Sequence, residues 1–478
     1  MTPLERVDAR FALHLVPRRA VVLGDLDDWR AGLEQVGAEL VGEHADDVDL
    51  AVAPATQAPA AARVGARAVL VEGDARRALG STGLPVRRLL ALPAADRVSL
   101  VAPLDPRAPA EYALGQWTVA DRRWKTVRNT LALRAATAGA PLPGRILTLA
   151  APHAPPFLVE AAAELGIDRT GGWFLVAGEG DALARGVLQV FRPGEPMPAW
   201  AIKFARVQGY EAPFERDRLG LELAAGSTSA ARCAPRFIGR MVVEGMHASV
   251  ETAAAGRRLI AFLHGPASPA AKRRVLDRVA GWLGEVGTET SSAAVTLAPA
   301  LAVLRERTLP AWNGRVPAGL VERLRGVPAV LQHHDLGTWN VVVHGDEFTV
   351  VDWESARRHG FPLWDLLYFL TDALAHLDGA RDRVDHLLRL CRGELSSSPL
   401  LFSSLRGQLA ALGVAPEAVG SLAALLWLYE GGYTAEREAA VEHFADRDPG
   451  GAHGLYRRVA EAWLSDPALG VEWDRWRG

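Results

Sequence analysis

Between residues 341 and 351 the sequence leaves little choice of local structure. The apolar run Val341-Val342-Val343 and the strand-like run 348–351 flank the tetrapeptide His344-Gly345-Asp346-Glu347, a spacing that predicts a β-hairpin. Oxygen-bearing side chains border it. Asp335 and Asn340 stand five residues apart on an irregular segment that runs into the first strand, and Asp352 closes the second. The hairpin therefore brings three such side chains to one of its ends.

That set suits one kind of chemistry. A hydroxyl nucleophile needs a carboxylate to orient it and take its proton, which is a role for Asp335. The phosphates of a nucleotide need Mg²⁺ held by few protein oxygens, because the ion keeps most of its water; Asn340 and Asp352 suit that role. Turn chemistry would explain a lone Asp-x4-Asn, but not the ordered strands and the second Asp that follow it. A zinc site built on His333, His334 and Asp335 is disfavoured, since consecutive residues do not face one ion and the chain has no His-Glu-x-x-His or Cys-x-x-Cys.

The pattern His333-x-Asp335-x4-Asn340 followed by Asp352-Trp353 resembles the catalytic and metal-binding segments of the aminoglycoside phosphotransferase/choline kinase family of small-molecule kinases. The resemblance covers roughly residues 157–476. It implies an α+β, protein-kinase-like domain of two lobes, with Asp335 as catalytic base and Asn340 and Asp352 as Mg²⁺ ligands. It also makes Asp365 the buried Asp that braces the catalytic loop, with His333 as further structural support. Two departures stand out: His334 replaces the family's usual Gly, and Gly337-Thr338-Trp339 replaces His-Pro-Gly before the Asn.

The remaining chain is read around that segment. Its 478 residues, 49% hydrophobic and 23% charged, exceed what one core organises, so two or three domains are expected. A net charge of −3 gives no case for nucleic acid as a partner. With only Cys233 and Cys391, a charged N-terminus and no apolar run of membrane length, the expectation is a cytoplasmic protein without disulfides or membrane contact. Residues 1–135 alternate short apolar runs with helical patterns and predict an α/β Rossmann-like domain. The first strand is followed by Gly24-Asp25-Leu26-Asp27, not by Gly-x-Gly-x-x-Gly, so the phosphate-cradling turn is missing. Residues 136–157, rich in Ala, Pro and Gly, read as a linker.

Residues 158–252 would then be the small lobe and 253–478 a helical large lobe carrying the catalytic hairpin. In the small lobe, Gly178 and Gly180 lie between strand candidates, where backbone N–H groups can meet a triphosphate. Lys203, one of only three lysines, sits inside the apolar run Trp200-Ala201-Ile202-Lys203-Phe204-Ala205 and suits nucleotide phosphates. Glu215 on the following helix is the expected partner of Lys203, with Glu222 in reserve. Glu251-Thr252 resembles the family's hinge, whose backbone would meet the base of the nucleotide. The expected activity is transfer of the γ-phosphate of ATP or GTP, with Mg²⁺, to a hydroxyl of a small molecule. The competing readings are a non-catalytic kinase-like module that carries or regulates the N-terminal unit, and a bifunctional enzyme with a methyltransferase-like first domain.

Overall fold

The computed structural model describes residues 7–94, 97–117, 131, 134–135, 146–177, 185–312, 314–442 and 454–477. The chain forms two compact units, Met1–Glu215 with Pro235–Gly256 and Arg216–Ala234 with Arg257–Gly478. Both are α+β, and the first contains a large sheet.

The first unit is organised on a sheet of twelve strands: β1 (Arg19–Val22), β2 (Glu39–Leu40), β3 (Leu50–Pro54), β4 (Ala68–Glu72), β5 (Val86–Ala94), β6 (Arg97–Pro103), β7 (Ile146–Ala150), β8 (Trp173–Val176), β9 (Gly186–Phe191), β10 (Pro198–Phe204), β11 (Phe237–Val243) and β12 (Met246–Thr252). Their order is β11-β12-β10-β9-β8-β6-β5-β7-β4-β3-β1-β2. The pairs β2–β1, β1–β3 and β3–β4 are parallel, and every pairing from β4 to β11 is antiparallel. The parallel strands β3 and β4 are apolar runs buried on both faces, as parallel strands must be. Helix α1 (Asp27–Gln35) supplies Trp29 and Leu33 to one face, while Ala58, Ala61 and Leu79 cover the other.

This sheet runs through the boundary expected at residues 136–157. Residues 136–145 lie outside the described ones, but Ile146–Ala150 is strand β7, buried at all five positions between β5 and β4. The prolines on both sides hide a pentapeptide too short to stand out by composition. Its Thr148 hydroxyl donates to the Gly73 carbonyl at 2.5 Å and accepts from the Ala75 N–H at 3.0 Å, which fixes the strand's position.

One core then serves the parallel and antiparallel halves, from Phe11, Trp29 and Val52 to Ile202, Phe204 and Val250. The Phe11 ring lies 4.4 Å from that of Phe204. Beside it the buried Asp8 carboxylate meets the Arg206 guanidinium at 2.6 Å, and Arg10 donates to the Arg206 carbonyl at 2.7 Å. Tyr112 reaches the end of the unit: its hydroxyl accepts from the Gly256 N–H and donates to the Gly256 carbonyl, both at 2.8 Å. Gly256 has φ +139°, a conformation that side-chain-bearing residues rarely adopt.

The second unit is mostly helical. Helix α2 (Ala212–Ala225) crosses from the first unit into it, and α3 (Leu259–His264), α4 (Pro269–Thr290), α5 (Trp364–Leu377), α6 (Arg383–Arg392), α7 (Ser398–Leu412), α8 (Val419–Glu442) and α9 (Gly454–Ser465) follow. Helix α4 starts with Ser268, whose side chain accepts from the Ala271 N–H, and with Pro269 at a position whose missing N–H costs nothing. It buries Val275, Val279, Trp282 and Leu283, the stripe its periodicity predicts. Two small sheets complete the unit: β13 (Arg257–Arg258) with β16 (Val341–His344) and β17 (Glu347–Val350), and β14 (Ser292–Thr296) with β15 (Pro328–Gln332) and β18 (Arg357–Gly360). Among the described residues no helix is long and apolar enough to cross a membrane.

Candidate active site

The hairpin that the sequence predicts is β16–β17, in the register Val341↔Val350 to His344↔Glu347. Gly345 takes the turn at φ +58°. One step beyond the last paired residues, the Val351 N–H donates to the Asn340 carbonyl at 2.8 Å, so Asn340 and Asp352 leave the same end of the hairpin. Asp352 adopts φ +69°, which turns the chain out of the strand.

The loop before β16 is closed on itself. The Asn340 amide nitrogen donates to the Asp335 carbonyl at 2.8 Å and to its carboxylate at 3.1 Å. That uses the amide's nitrogen, so the atom that could ligate a metal is its oxygen. Asp335 is exposed, as a group that must meet a diffusing substrate has to be. The donor set fits Mg²⁺: one amide oxygen and one carboxylate, with no group of three or more His, Cys, Asp or Glu able to hold a metal among the described residues. An ion there would take its other ligands from water and phosphate.

Asp365, at the start of α5, accepts from the His333 N–H at 2.6 Å and the His334 N–H at 2.9 Å. Burial pushes its carboxyl up to about 6, against the opposing pull of those two N–H groups and of the Gln332 side chain. His333 bridges to the other strand, donating from Nε2 to the Val351 carbonyl at 3.0 Å and accepting the Asp335 N–H on Nδ1 at 3.3 Å. Both bonds define the neutral Nε2–H form. His334, which stands where glycine is usual in the resembling family, has φ +70°. Its ring packs 4.7 Å from that of Tyr429, and burial holds its pKa well below the usual histidine value.

Several residues at this site were not singled out from sequence. Asp372, two helical turns after Asp365 on α5, accepts from the Thr338 N–H at 2.8 Å and pairs with Arg383. Its i, i+7 spacing from Asp365 is a sequence signal for a second brace on the same helix face. Arg258 lies over the Trp339 ring at 5.4 Å; burial lowers its pKa to about 10, and the charge of Asp352 opposes that shift. Glu430, on α8, is pushed up to about 8 by burial first and then by Asp335 and Asp365. The charged form of Glu430 is thus disfavoured beside those two carboxylates.

The nucleotide-binding candidates belong to the first unit. A carboxylate that the structure sets on Lys203 is Glu251, at 3.1 Å, with both side chains buried. Glu215, the expected partner, receives Arg240 at 2.8 Å, and Arg240 also binds Glu211. Sequence reasoning looked for a partner on the next helix and did not single out this one, which the sheet brings from the neighbouring strand β12. The Thr252 N–H donates to the Arg236 carbonyl at 3.0 Å and the Ala253 N–H to the Ala199 carbonyl at 2.9 Å, while the Thr252 hydroxyl accepts from the Arg236 N–H. Those N–H groups serve the sheet. Glu222, the reserve choice, pairs with Arg218. Gly178 and Gly180 lie outside the described residues.

With this geometry in hand, the chain can be set beside known proteins. Residues 236–400 match the model of the phosphotransferase enzyme family. The match contains the Asp335–Asn340 loop, the hairpin and Asp365, and it meets the resemblance read from sequence. Among solved structures, the chain is similar to the aminoglycoside phosphotransferase APH(3'')-Id from Streptomyces rimosus, at 16% identity and a TM-score of 0.35, over 54% of this chain and 91% of that one. It is also similar to an amicoumacin kinase in complex with AMP-PNP, Ca²⁺ and Ami, at 12% identity and a TM-score of 0.38, over 63% of this chain and 91% of that one. No curated protein matches the chain.

Proposed function

We propose that the protein is a phosphotransferase of two-lobed, kinase-like design that moves the γ-phosphate of ATP or GTP to a hydroxyl of a small molecule. The observation that carries this reading is the closed loop Asp335–Asn340, locked to Asp352 through the hairpin and braced from behind by Asp365. Asp335 orients the acceptor hydroxyl and takes its proton as the bond to phosphorus forms. Asn340 and Asp352 would hold Mg²⁺, which when bound supplies charge neutralisation at the transferring phosphate. Lys203 meets the nucleotide phosphates. Most of the rate comes from positioning, which is why the loop is held by backbone bonds to two buried carboxylates.

Within this reading the parallel strands β1 to β4 form a Rossmann-like half-sheet that extends the small lobe. It lacks a glycine-rich turn, so a second catalytic activity has no support there. The test of the assignment is Asp335→Asn, assayed with water as acceptor through slow hydrolysis of the nucleotide. Turnover should fall by roughly 10²–10⁴-fold while nucleotide affinity stays near wild type. Equal loss of both would remove Asp335 from the role of base.

A further inference from the structure

Trp339 is the bulkiest residue of the loop that runs from Asp335 to Asn340. The backbone on both sides of it is pinned. The Gly337 N–H donates to the Asp335 carbonyl at 3.1 Å, and the Asn340 N–H to the Gly337 carbonyl at 3.0 Å. Between them, the Thr338 N–H donates to Asp372 and the Thr338 carbonyl accepts from the Ile260 N–H at 3.3 Å. Thr338 is fully buried, whereas Trp339 is 47% exposed. Single exposed apolar residues are ordinary on a protein surface. What sets Trp339 apart is its place, one peptide bond from Asn340, whose side chain meets the Asp335 carboxylate at 3.1 Å.

The ring is held from one side. The Arg258 guanidinium lies 5.4 Å from its centroid, within the range of a cation–π contact. Arg258 stands in β13 opposite Val342 of β16, and the charge of Asp352 acts on it. A cation of the protein itself therefore fixes the indole at the hairpin end. A ring so occupied offers little to a second cation, which would meet the repulsion of the guanidinium, but it keeps an apolar surface on which a neutral flat group can stack. We infer that Trp339 is an acceptor-binding residue, and that the hydroxyl this chain phosphorylates is carried by a molecule with a neutral aromatic ring beside it. This acceptor class rests on the phosphotransferase reading of Asp335 and Asn340 and narrows it. In the step served, the alcohol oxygen bonds to the γ-phosphorus, the bond to the β-phosphate oxygen breaks, the nucleoside diphosphate leaves and the hydroxyl proton passes to Asp335. The departure from the resembling family at this position, where glycine is usual, then has a purpose: an indole supplies a stacking surface that glycine lacks.

The test is transfer of the γ-phosphate of ATP or GTP, with Mg²⁺, by the full chain to three simple alcohols: 2-phenylethanol, choline and glycerol. Each is read as kcat/KM from the phosphorylated product. The wild type should favour 2-phenylethanol over either of the others by about 10-fold, in keeping with one aromatic stacking contact. Trp339→Phe should keep that order. Trp339→Leu should lower the ratio of 2-phenylethanol to glycerol by about 10-fold, chiefly through the KM for the alcohol. A ratio unmoved in Trp339→Leu, a defect confined to the KM for nucleotide, or a wild type that prefers choline or glycerol or uses none of the three would overturn the acceptor class and leave the reading of Asp335 standing. A wild-type chain that neither transfers phosphate nor hydrolyses nucleotide would overturn the phosphotransferase reading, and this inference with it.

Discussion

Asp365 holds the loop before β16 through a single carboxyl group. As a carboxylate it accepts the N–H groups of His333 and His334, one on each oxygen; once protonated it gives up one of those positions. Its pKa is raised from the ordinary 3.8 to about 6, mainly by burial. The charged form is thus disfavoured in the fold, and the stability this group contributes below pH 3.8 is lost as the pH rises through 6. Function should run the opposite way. Nucleotide turnover is expected to fall as the pH drops through about 6, and Asp365→Asn should be slower at all pH values and lack that limb. An unchanged acid limb in the variant would assign it to another group. That Asn340 and Asp352 stand at one end of a hairpin was legible in the sequence because each borders an apolar run whose ends are easy to find. The contact of Glu251 with Lys203 was not, because a diagonal contact across two strands 48 positions apart leaves no local spacing to read.

Helix α5 acts on the loop twice, since Asp372 binds the Thr338 N–H as Asp365 binds those of His333 and His334. Replacing Asp372 by Ala would leave the Thr338 N–H buried without its acceptor and release Arg383 from its partner. The expected loss is about 1–3 kcal/mol, measured as a lower midpoint in urea denaturation with an unchanged slope. A variant as stable as wild type would mean that water replaces the carboxylate. The elements themselves were largely readable. The hairpin follows from its turn and flanking runs, and α4 from its apolar stripe. Strand β7 was missed because five apolar residues between prolines carry too little periodicity to outweigh their surroundings. The partners of the Thr252 and Ala253 N–H groups were not legible for a related reason: they come from residues on other elements.

At the scale of the molecule, the continuous sheet puts strands β1 to β7 in the same unit as Lys203. Strand β8 pairs with β6, the Phe204 ring next to Lys203 is covered by Phe11, and Tyr112 holds Gly256. A chain beginning at residue 158 would expose the edge of β8 and the apolar face behind β10. It should aggregate on size-exclusion chromatography, whereas a folded monomer would restore the boundary expected at 136–157. The central claim, that the hairpin end holds the metal-bound nucleotide, is met most directly by thermal midpoints with ATP or GTP, each with and without Mg²⁺, in wild type and in Asp352→Ala. A Mg²⁺-dependent rise in the wild type that the variant loses is the predicted result. No shift with either nucleotide, or an equal shift in Asp352→Ala, would contradict it.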